Sequence, residues 1–177
     1  MGEIILYIAS SLDGFIASED GSVDWLESVE EPDPEEDYGY QELFERVDTV
    51  LMGRKTYEQI LGFGEWPYES KRCIVFTREP LAYSDERVEF VDEPAAFLRN
   101  LLDDGSAATW LVGGSETASY LLKEGLIRHM IITMLPIVLG GGIPLFQGLE
   151  GEFRLKLLEM KSYPNSFIQL HYELLKG

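Results

Sequence analysis

Short apolar runs alternate with amphipathic stretches along most of this chain. The runs are too brief for free-standing helices and are rich in β-branched and aromatic side chains, which predicts buried strands. They lie at 4–9, 49–52, 72–77, 88–91, 109–114 and 129–139. Strands that are buried on both faces are typical of a mostly parallel sheet.

Helical periodicity fills the intervals between these runs. Apolar side chains recur every three or four residues within 40–47, 53–61, 93–104 and 115–125. Ser115 suits the N-cap of the last of these helices, and Gly125 suits its C-terminal end. Helices placed between buried strands predict crossover connections in a parallel sheet.

The last thirty residues have a different pattern. Two strand-like segments, 153–163 and 166–176, are joined by Pro164-Asn165, which is typical of a hairpin turn. The full order is therefore β-α-β-α-β-β-α-β-α-β-β-β. It predicts one α/β domain over residues 1–177, with a mostly parallel mixed sheet of about eight strands, helices on both faces and a C-terminal antiparallel hairpin.

The charge of the chain excludes some partners. It has 14 Lys and Arg against 32 Asp and Glu, a formal net charge of −18, which disfavours binding to nucleic acid or to an anionic membrane. With no basic leader segment and no apolar run of about 18 residues, we expect a soluble cytoplasmic protein. Cys73 is the single cysteine, and His129 and His171 have no partner at ligand spacing, so no metal site is expected.

One segment concentrates the acidity. From Glu27 to Asp37, seven of eleven residues are acidic, and Pro32 and Pro34 interrupt them. Proline and self-repulsion disfavour a helix there, so an exposed loop is one interpretation. A lid over a binding site is the other, because long loops in compact domains are often functional.

Two strand-to-helix junctions share a pattern that suits an anionic ligand. Gly53 ends a strand before Arg54, Lys55 and Thr56, and Gly113-Gly114 end another strand before Ser115, Glu116 and Thr117. Glycine lets a phosphate approach the backbone, and the free N–H groups of a helix start favour its charge. Both junctions lie at the carboxyl edge of a parallel sheet, where ligands bind. The alternative is that these glycines serve only the packing of tight turns.

A third strand ends in Thr77 and Arg78, which are a hydroxyl and a guanidinium side by side. Arginine can bind phosphate through two hydrogen bonds, so Arg54 and Arg78 would converge on one phosphate if their strands are neighbours. Neither G-x-x-x-x-G-K-[ST] nor G-x-G-x-x-G is present, which excludes a standard P-loop and a standard Rossmann site.

Taken together and in order, five segments resemble a known family. IASSLDGFIA, LMGRKTYE, IVFTRE and WLVGGSETASYLL are similar to the dihydrofolate reductase-like fold. The later ITMLPIVLGGGIPLF resembles the reductase domain that ends the bifunctional riboflavin-biosynthesis deaminase-reductases, and its stand-alone bacterial relatives. The resemblance covers essentially the whole chain and implies an NADPH-dependent reductase of a small molecule.

The resemblance also implies a cofactor site. The positions that match cofactor-binding positions are Ala9, Ile16, Gly53, Arg54, Lys55, Thr56, Thr77, Arg78, Val112, Gly113, Gly114, Ser115, Glu116, Thr117 and Gly141. In this family the two glycine junctions hold the pyrophosphate, and Ala9 and Ile16 line the nicotinamide. Two arginines near an adenosine 2′-phosphate would favour NADPH over NADH, because NADH leaves those charges unpaired.

The proton donor implied by the resemblance is Asp37, with Thr133 as its partner on a strand. The position is reached by counting sixteen residues back from Gly53. The alternative is that Asp37 is a solvated acid of a polar loop. Val23-Asp24-Trp25-Leu26 stands where dihydrofolate reductases have a Trp-x-x-Pro lid, so the folate reaction is in doubt.

Several functions stay open at this point. The first is reduction of 5-amino-6-(5-phosphoribosylamino)uracil, or of a related small polar heterocycle, imine or carbonyl compound. Dihydrofolate reduction is an alternative of the same class, and a module that binds NADPH without turnover is one of another class. Deamination is excluded because the chain has no H-x-E or P-C-x-x-C motif. A homodimer formed through the C-terminal strands is expected mainly from the resemblance.

Overall fold

The computed structural model describes residues 2–29, 35–103 and 108–175. Within them, eight strands form one sheet in the order β5-β4-β3-β6-β1-β7-β10-β9. The strands of this sheet are β1 Ile4–Ser11, β3 Val47–Gly53, β4 Arg72–Phe76, β5 Val88–Val91, β6 Ala108–Gly113, β7 Ile127–Leu135, β9 Leu155–Ser162 and β10 Ile168–Leu174. Two further short strands, β2 Phe15–Ala17 and β8 Ile143–Pro144, pair with each other.

Four α-helices connect the strands of the main sheet. They are α1 Tyr40–Arg46, α2 Arg54–Leu61, α3 Pro94–Asp103 and α4 Ser115–Lys123. The six strands from β5 to β7 pair in parallel, and β10 and β9 add an antiparallel hairpin. The predicted order of strands and helices and the mixed sheet are confirmed.

Helices cover both faces of the sheet, as the apolar pattern predicts. One core lies under α3 and α4, where Leu98 and Leu121 pack against Leu6 and Leu111. The other core lies under α1 and α2 and contains Trp110. Alternate residues of the central strands enter opposite cores, since neighbouring side chains of a strand point to opposite faces. No described helix is long and apolar enough to cross a membrane.

The small sheet formed by β2 and β8 is a feature that the sequence pattern did not predict. We call this unit the flap, and it comprises residues 12–18 and 139–145. Asp13 attaches its two halves, because its carboxylate accepts hydrogen bonds from the backbone N–H groups of Leu139 (3.1 Å) and Gly140 (2.8 Å). The Ser11 hydroxyl also donates to Asp13, and these bonds lower the pKa of its carboxyl group.

The two histidines, which have no partner at ligand spacing in the sequence, contact each other in the fold. The register of β7 and β10 brings Nε2 of His171 within 3.2 Å of Nδ1 of His129, and Nε2 of His129 lies 3.3 Å from a carboxylate oxygen of Glu3. Burial, followed by the neighbouring His129, lowers the pKa of His171. A proton on His171 is therefore more costly in the folded chain than in the unfolded one.

This histidine pair predicts a loss of stability on mild acidification. The pKa of His171 is lower in the folded state, so the unfolded state takes up the proton first as the pH falls through about 6.5. We expect the free energy of unfolding to be lower at pH 5.5 than at pH 7.5. His171→Gln, which keeps a donor toward His129, should reduce that difference, with a contribution below about 1.4 kcal/mol per pH unit.

Urea unfolding of both proteins at the two pH values measures the effect. The same pH dependence in the variant and in the unmodified chain would contradict this assignment to His171.

Candidate functional site

The predicted cofactor residues meet at the carboxyl edge of the parallel strands. Thr77 and Arg78 follow β4, Gly53 ends β3, Gly113 ends β6, and Ala9 lies near the end of β1. These strands are consecutive neighbours, in the order β4-β3-β6-β1, with β7 next. Adjacent strands are about 4.8 Å apart, so the row from β4 to β7 spans on the order of 19 Å, which suits an extended ligand.

The two glycine junctions pack directly against each other. A Cβ atom on Gly53 would lie 2.6 Å from Oγ1 of Thr117, and one on Gly114 would lie 3.2 Å from Oγ1 of Thr56. Gly113 has a φ of +140°, which L side chains rarely adopt, and its peptide bond to Gly114 is cis. Packing therefore accounts for Gly53 without any ligand, and the same contact places the starts of α2 and α4 side by side.

Neither helix start has a side-chain cap. Gly53 precedes α2 and Gly114 precedes α4, and a glycine at the N-cap position has no side chain that could accept a hydrogen bond. Ser115 is therefore not the N-cap that the sequence predicted: it is the first residue of α4, and its side-chain oxygen is buried with no hydrogen-bond partner among the described residues. A buried hydroxyl without a partner costs free energy, and a helix start attracts anions.

The basic side chains around the junctions differ in how they are held. Nη1 of Arg54 contacts both carboxylate oxygens of Glu58 (2.8 and 2.9 Å), to which the Tyr83 hydroxyl also donates (3.1 Å). Lys55 lies 3.4 Å from Glu116 across the two helix starts. Arg78 is exposed and makes no hydrogen bond or ion pair within the described residues. Of these three cations, Arg78 is the one available to a ligand without breaking an ion pair.

Two predicted positions, Ile16 and Gly141, lie on the flap rather than on the main sheet. A cavity of about 390 Å³ is lined there by Ser18, Glu19, Leu139, Gly140 and Gly141. Gly142 holds the flap together, because a Cβ atom on it would lie 2.2 Å from the carbonyl oxygen of Ala17.

Thr133 is buried beside Ala9, its register partner on β1. Its side-chain oxygen accepts a hydrogen bond from Nε2 of Gln169 (3.0 Å), which also donates to the carbonyl oxygen of Tyr38 (2.7 Å). The Tyr7 hydroxyl donates to the same carbonyl at 3.2 Å. We call these four residues, Tyr7, Tyr38, Thr133 and Gln169, the Thr133 network.

Aromatic side chains enclose this network. Trp25, Phe167, Tyr38 and Tyr163 belong to one apolar cluster that also contacts Ala9. Tyr38 stacks on Phe167 with ring centres 5.3 Å apart and meets Tyr163 edge to face at 4.9 Å. We call these four side chains the aromatic wall. Planar rings of this kind suit a flat heterocyclic ligand.

Asp37 does not contact Thr133 in the described structure. It is exposed, and its carboxylate oxygens accept hydrogen bonds from the N–H groups of Gly39 and Gln41 at the start of α1 (both 2.9 Å). Its neighbour Tyr38 is the residue that reaches the Thr133 network. Of the acidic segment to which Asp37 belongs, residues 30–34 lie outside the described structure.

The structure therefore brings most of the predicted positions into one row and two into the flap. It also adds Gln169, Phe167 and Tyr163, which sequence reasoning did not identify. Gln169 lies 36 residues from Thr133, and its contact follows from the register of β10 on β7. Polar and apolar side chains alternate along β10, with His171 and Glu173 on the same face as Gln169, so the pattern alone does not single out Gln169.

A family model described as the RibD C-terminal domain matches residues 3–168. The chain belongs to the RibD C-terminal domain family. The uncharacterised protein YwjB of Bacillus subtilis (strain 168) is 45% identical over 170 residues, which cover 95% of each chain.

Solved structures agree with this assignment. A protein from Shewanella sp. PV-4, provisionally described as a riboflavin biosynthesis protein, has a TM-score of 0.87 at 35% identity, covering 98% of this chain and 99% of that one. A Thermotoga maritima diaminohydroxyphosphoribosylaminopyrimidine deaminase/5-amino-6-(5-phosphoribosylamino)uracil reductase has a TM-score of 0.71 at 20% identity, covering 98% of this chain and 57% of that one. The second likeness concerns the fold alone. The RibD-type, dihydrofolate reductase-like fold expected from the sequence is confirmed.

The flap of this RibD-type domain depends on Gly142. We expect Gly142→Ala to destabilise the protein by about 3 kcal/mol, because the new Cβ would clash with the backbone of Ala17 in a strained conformation. Gly140→Ala is the matched control: it also has a positive φ, but nothing lies within 4 Å of its Cβ position, so we expect about 1 kcal/mol. Denaturant unfolding measures both, and equal losses would contradict the clash.

Proposed function

We propose that this chain is an NADPH-dependent reductase that transfers hydride to a small polar heterocyclic, imine or carbonyl substrate. The reaction would be related to the reduction of 5-amino-6-(5-phosphoribosylamino)uracil in riboflavin biosynthesis. Membership of the RibD C-terminal domain family supports this class of activity. A cytoplasmic location follows as part of the proposal, since the cofactor and such substrates are found there.

The observation that carries the proposal is the buried Ser115 hydroxyl without a partner. It stands at the first residue of α4, which has no side-chain cap, next to the equally uncapped α2. A pyrophosphate between the two helix starts would accept bonds from this hydroxyl and from free backbone N–H groups. The packing of the glycine junctions supports this arrangement, because it brings the two helix starts together.

The residues present fit a dinucleotide laid along the row of strands. Gly53, Thr56, Gly114, Ser115 and Thr117 would hold its pyrophosphate, with Val112 and Glu116 beside it. Thr77 and Arg78 at the end of β4 would hold the adenosine end with its 2′-phosphate, together with Arg54 and Lys55 at the start of α2. Ala9, Ile16 and Gly141 would border the nicotinamide, whose C4 supplies the hydride when the cofactor is bound.

The substrate side of the proposed site is the Thr133 network with the aromatic wall. Hydride transfer needs the reacting atoms about 3–3.5 Å apart and shielded from water. Ala9 has a small side chain that leaves room over the end of β1, and Thr133 lies beside it. The aromatic wall would exclude water, and the Thr133 hydroxyl would orient the ring of the acceptor.

Cofactor binding provides the first test. We expect calorimetry to show tighter binding of NADPH than of NADH, and Ser115→Ala to weaken both by roughly tenfold, since it removes a hydrogen bond to a charged group. The same variant should not destabilise the free protein, because the hydroxyl has no partner there. Arg78→Ala should reduce the preference for NADPH over NADH, because it removes the one cation at this end that has no ion-pair partner among the described residues.

Arg54→Ala serves as the matched control in that experiment. Because Arg54 is held by Glu58, we expect it to affect the preference for NADPH less than Arg78 does. If neither nucleotide binds, the proposed cofactor site is refuted. The glycines of the two junctions would then serve only the packing of the turns.

Asp37 is the proposed proton donor. It directly precedes Tyr38, whose carbonyl oxygen shares Gln169 with Thr133. We expect Asp37→Asn to lower kcat by about 100-fold, the usual effect of losing a general acid, while NADPH affinity stays unchanged. Asp37→Ser, which retains a helix-capping oxygen, should lose activity equally. If both variants turn over at the wild-type rate, Asp37 is not the proton donor and serves only to cap α1.

Binding of NADPH without turnover remains the second candidate function. The Thr133 network favours this function. Gln169 already donates hydrogen bonds to the Thr133 hydroxyl and to the Tyr38 carbonyl, so these groups do not need a substrate as a hydrogen-bond partner. NADPH oxidation across pterin, pyrimidine and carbonyl compounds distinguishes an enzyme from such a module.

We further propose that two copies pair through the edge strand β9. Its residues Leu155, Leu157, Leu158 and Met160 are between 39% and 65% exposed. An exposed apolar edge strand is a template for pairing with another chain. The strand carries two lysines and one glutamate. Two copies of β9 would therefore repel each other less than two copies of the acidic remainder of the chain.

We expect light scattering to give a dimer mass for the unmodified chain and a monomer mass for Met160→Glu. Phe63→Glu is the control, because Phe63 is similarly exposed (67%) but lies after α2. A monomer mass for the unmodified chain would contradict the pairing.

A further inference from the structure

The basic residues of this chain are absent from two long segments that build the substrate side. The first 45 residues contain fourteen Asp and Glu but no Lys, Arg or His, and residues 130–153 contain no base either. The first segment supplies β1, half of the flap, Trp25, Tyr38 and most of α1. The second supplies the end of β7 with Thr133 and the other half of the flap.

The remaining part of the substrate side is the β9–β10 hairpin. It carries His171, whose ring contacts His129 and whose pKa is lowered by burial, and one lysine near Gln169. Lys161 is the register partner of Gln169, and its Nζ lies 3.6 Å from a carboxylate oxygen of Glu159. Arg154 and Lys156 belong to the opposite end of the hairpin, where Lys156 pairs with Glu173 in register. One lysine that already has a carboxylate partner is a poor site for a phosphate, which usually takes several charged donors.

Acidic groups face this region from several elements. Glu19, which directly follows the first half of the flap, has a carboxylate oxygen 3.6 Å from the Cβ position of Gly141. Burial is the largest cause of the raised pKa of the Tyr163 hydroxyl. The negative charges of Glu36, Glu159 and Asp37 raise this pKa further, so these carboxylates lie close enough to affect the aromatic wall. These four carboxylates therefore outnumber Lys161, the one lysine beside the Thr133 network.

The other described bases lie elsewhere. Arg54, Lys55 and Arg78 surround the glycine junctions, whereas Arg99, Lys123, Arg128 and Arg154 line a groove at the opposite, amino-terminal edge of the sheet. The carboxyl edge is thus divided into a half with several cations, where phosphates would bind, and a half whose one described lysine, Lys161, is paired with Glu159. A phosphate or carboxylate on the substrate would meet repulsion in the second half.

We propose that the substrate is a planar heterocycle that is neutral or cationic and carries neither a phosphate nor a carboxylate group. The inference rests on the proposed function for the place of the ring beside Thr133. It separates this chain from reductases whose substrate is a sugar phosphate ester. The aromatic wall recognises the ring face, and the neutral Thr133 and Gln169 recognise its polar edge.

Paired ligands that differ only in charge test this proposal. One pair is a ribosylamino-pyrimidine with and without its 5′-phosphate, and the other is a dihydropterin with an uncharged or a carboxylate-bearing side chain. Each is titrated into the protein with and without NADPH and is assayed for NADPH oxidation. We expect the uncharged member to bind at least tenfold more tightly and to be the better substrate wherever turnover occurs.

Charge reversal supplies the control. Glu19→Lys, in the cavity beside the flap, should narrow the difference in affinity within each pair by about fivefold. Glu152→Lys makes the same charge change in the groove at the opposite edge and should leave that difference unchanged. Equal or tighter binding of the anionic members, or binding of no member of either pair, would overturn the inference. Titration with NADPH alone separates this outcome from a failure of the proposed function. It reports on the cofactor site whether or not a ring ligand binds.

Discussion

The contact between the two glycine junctions determines how the rest of this molecule is arranged. Gly53 approaches Thr117, and Gly114 approaches Thr56, more closely than side chains at these glycines would allow without displacement. The approach is possible because β3 and β6 are parallel neighbours whose helices start at the same edge. It places two uncapped helix starts together and leaves the Ser115 hydroxyl buried without a partner. In a protein of net charge −18, this is the place best prepared for an anion.

The charge distribution divides the same edge into two parts with different chemistry. Cations surround the glycine junctions, whereas the ends of β1 and β7 are bordered by aromatic rings, neutral amide and hydroxyl groups, and carboxylates. An extended ligand with phosphates at one end and a flat ring at the other matches this division. Hydride transfer from the nicotinamide to the substrate would then take place in the part where water is most easily excluded. The flap, attached through Asp13, borders that part.

The sequence predicts the main sheet well because its strands are continuous apolar runs and its helices have clear periodicity. The flap was missed because β2 and β8 have only three and two residues, which is too short for any periodic signal. Ser115 looked like an N-cap from its residue type, but the chain turns into α4 one residue earlier, at Gly114. The contacts of His129 with His171 and of Thr133 with Gln169 depend on strand register between distant segments, which local pattern does not encode. The resemblance to the family predicted which positions lie in the row at the carboxyl edge. Periodicity predicted only the strands and helices that hold them.

The central claim is that the row from β4 to β7 binds a dinucleotide with its pyrophosphate between α2 and α4. A crystal structure of the protein with NADPH tests it most directly. The account predicts pyrophosphate oxygens within hydrogen-bond distance of the Ser115 hydroxyl and of backbone N–H groups in both helix starts, with the nicotinamide over Ala9. NADPH bound at the opposite edge of the sheet, or bound with the Ser115 hydroxyl still without a partner, would contradict it.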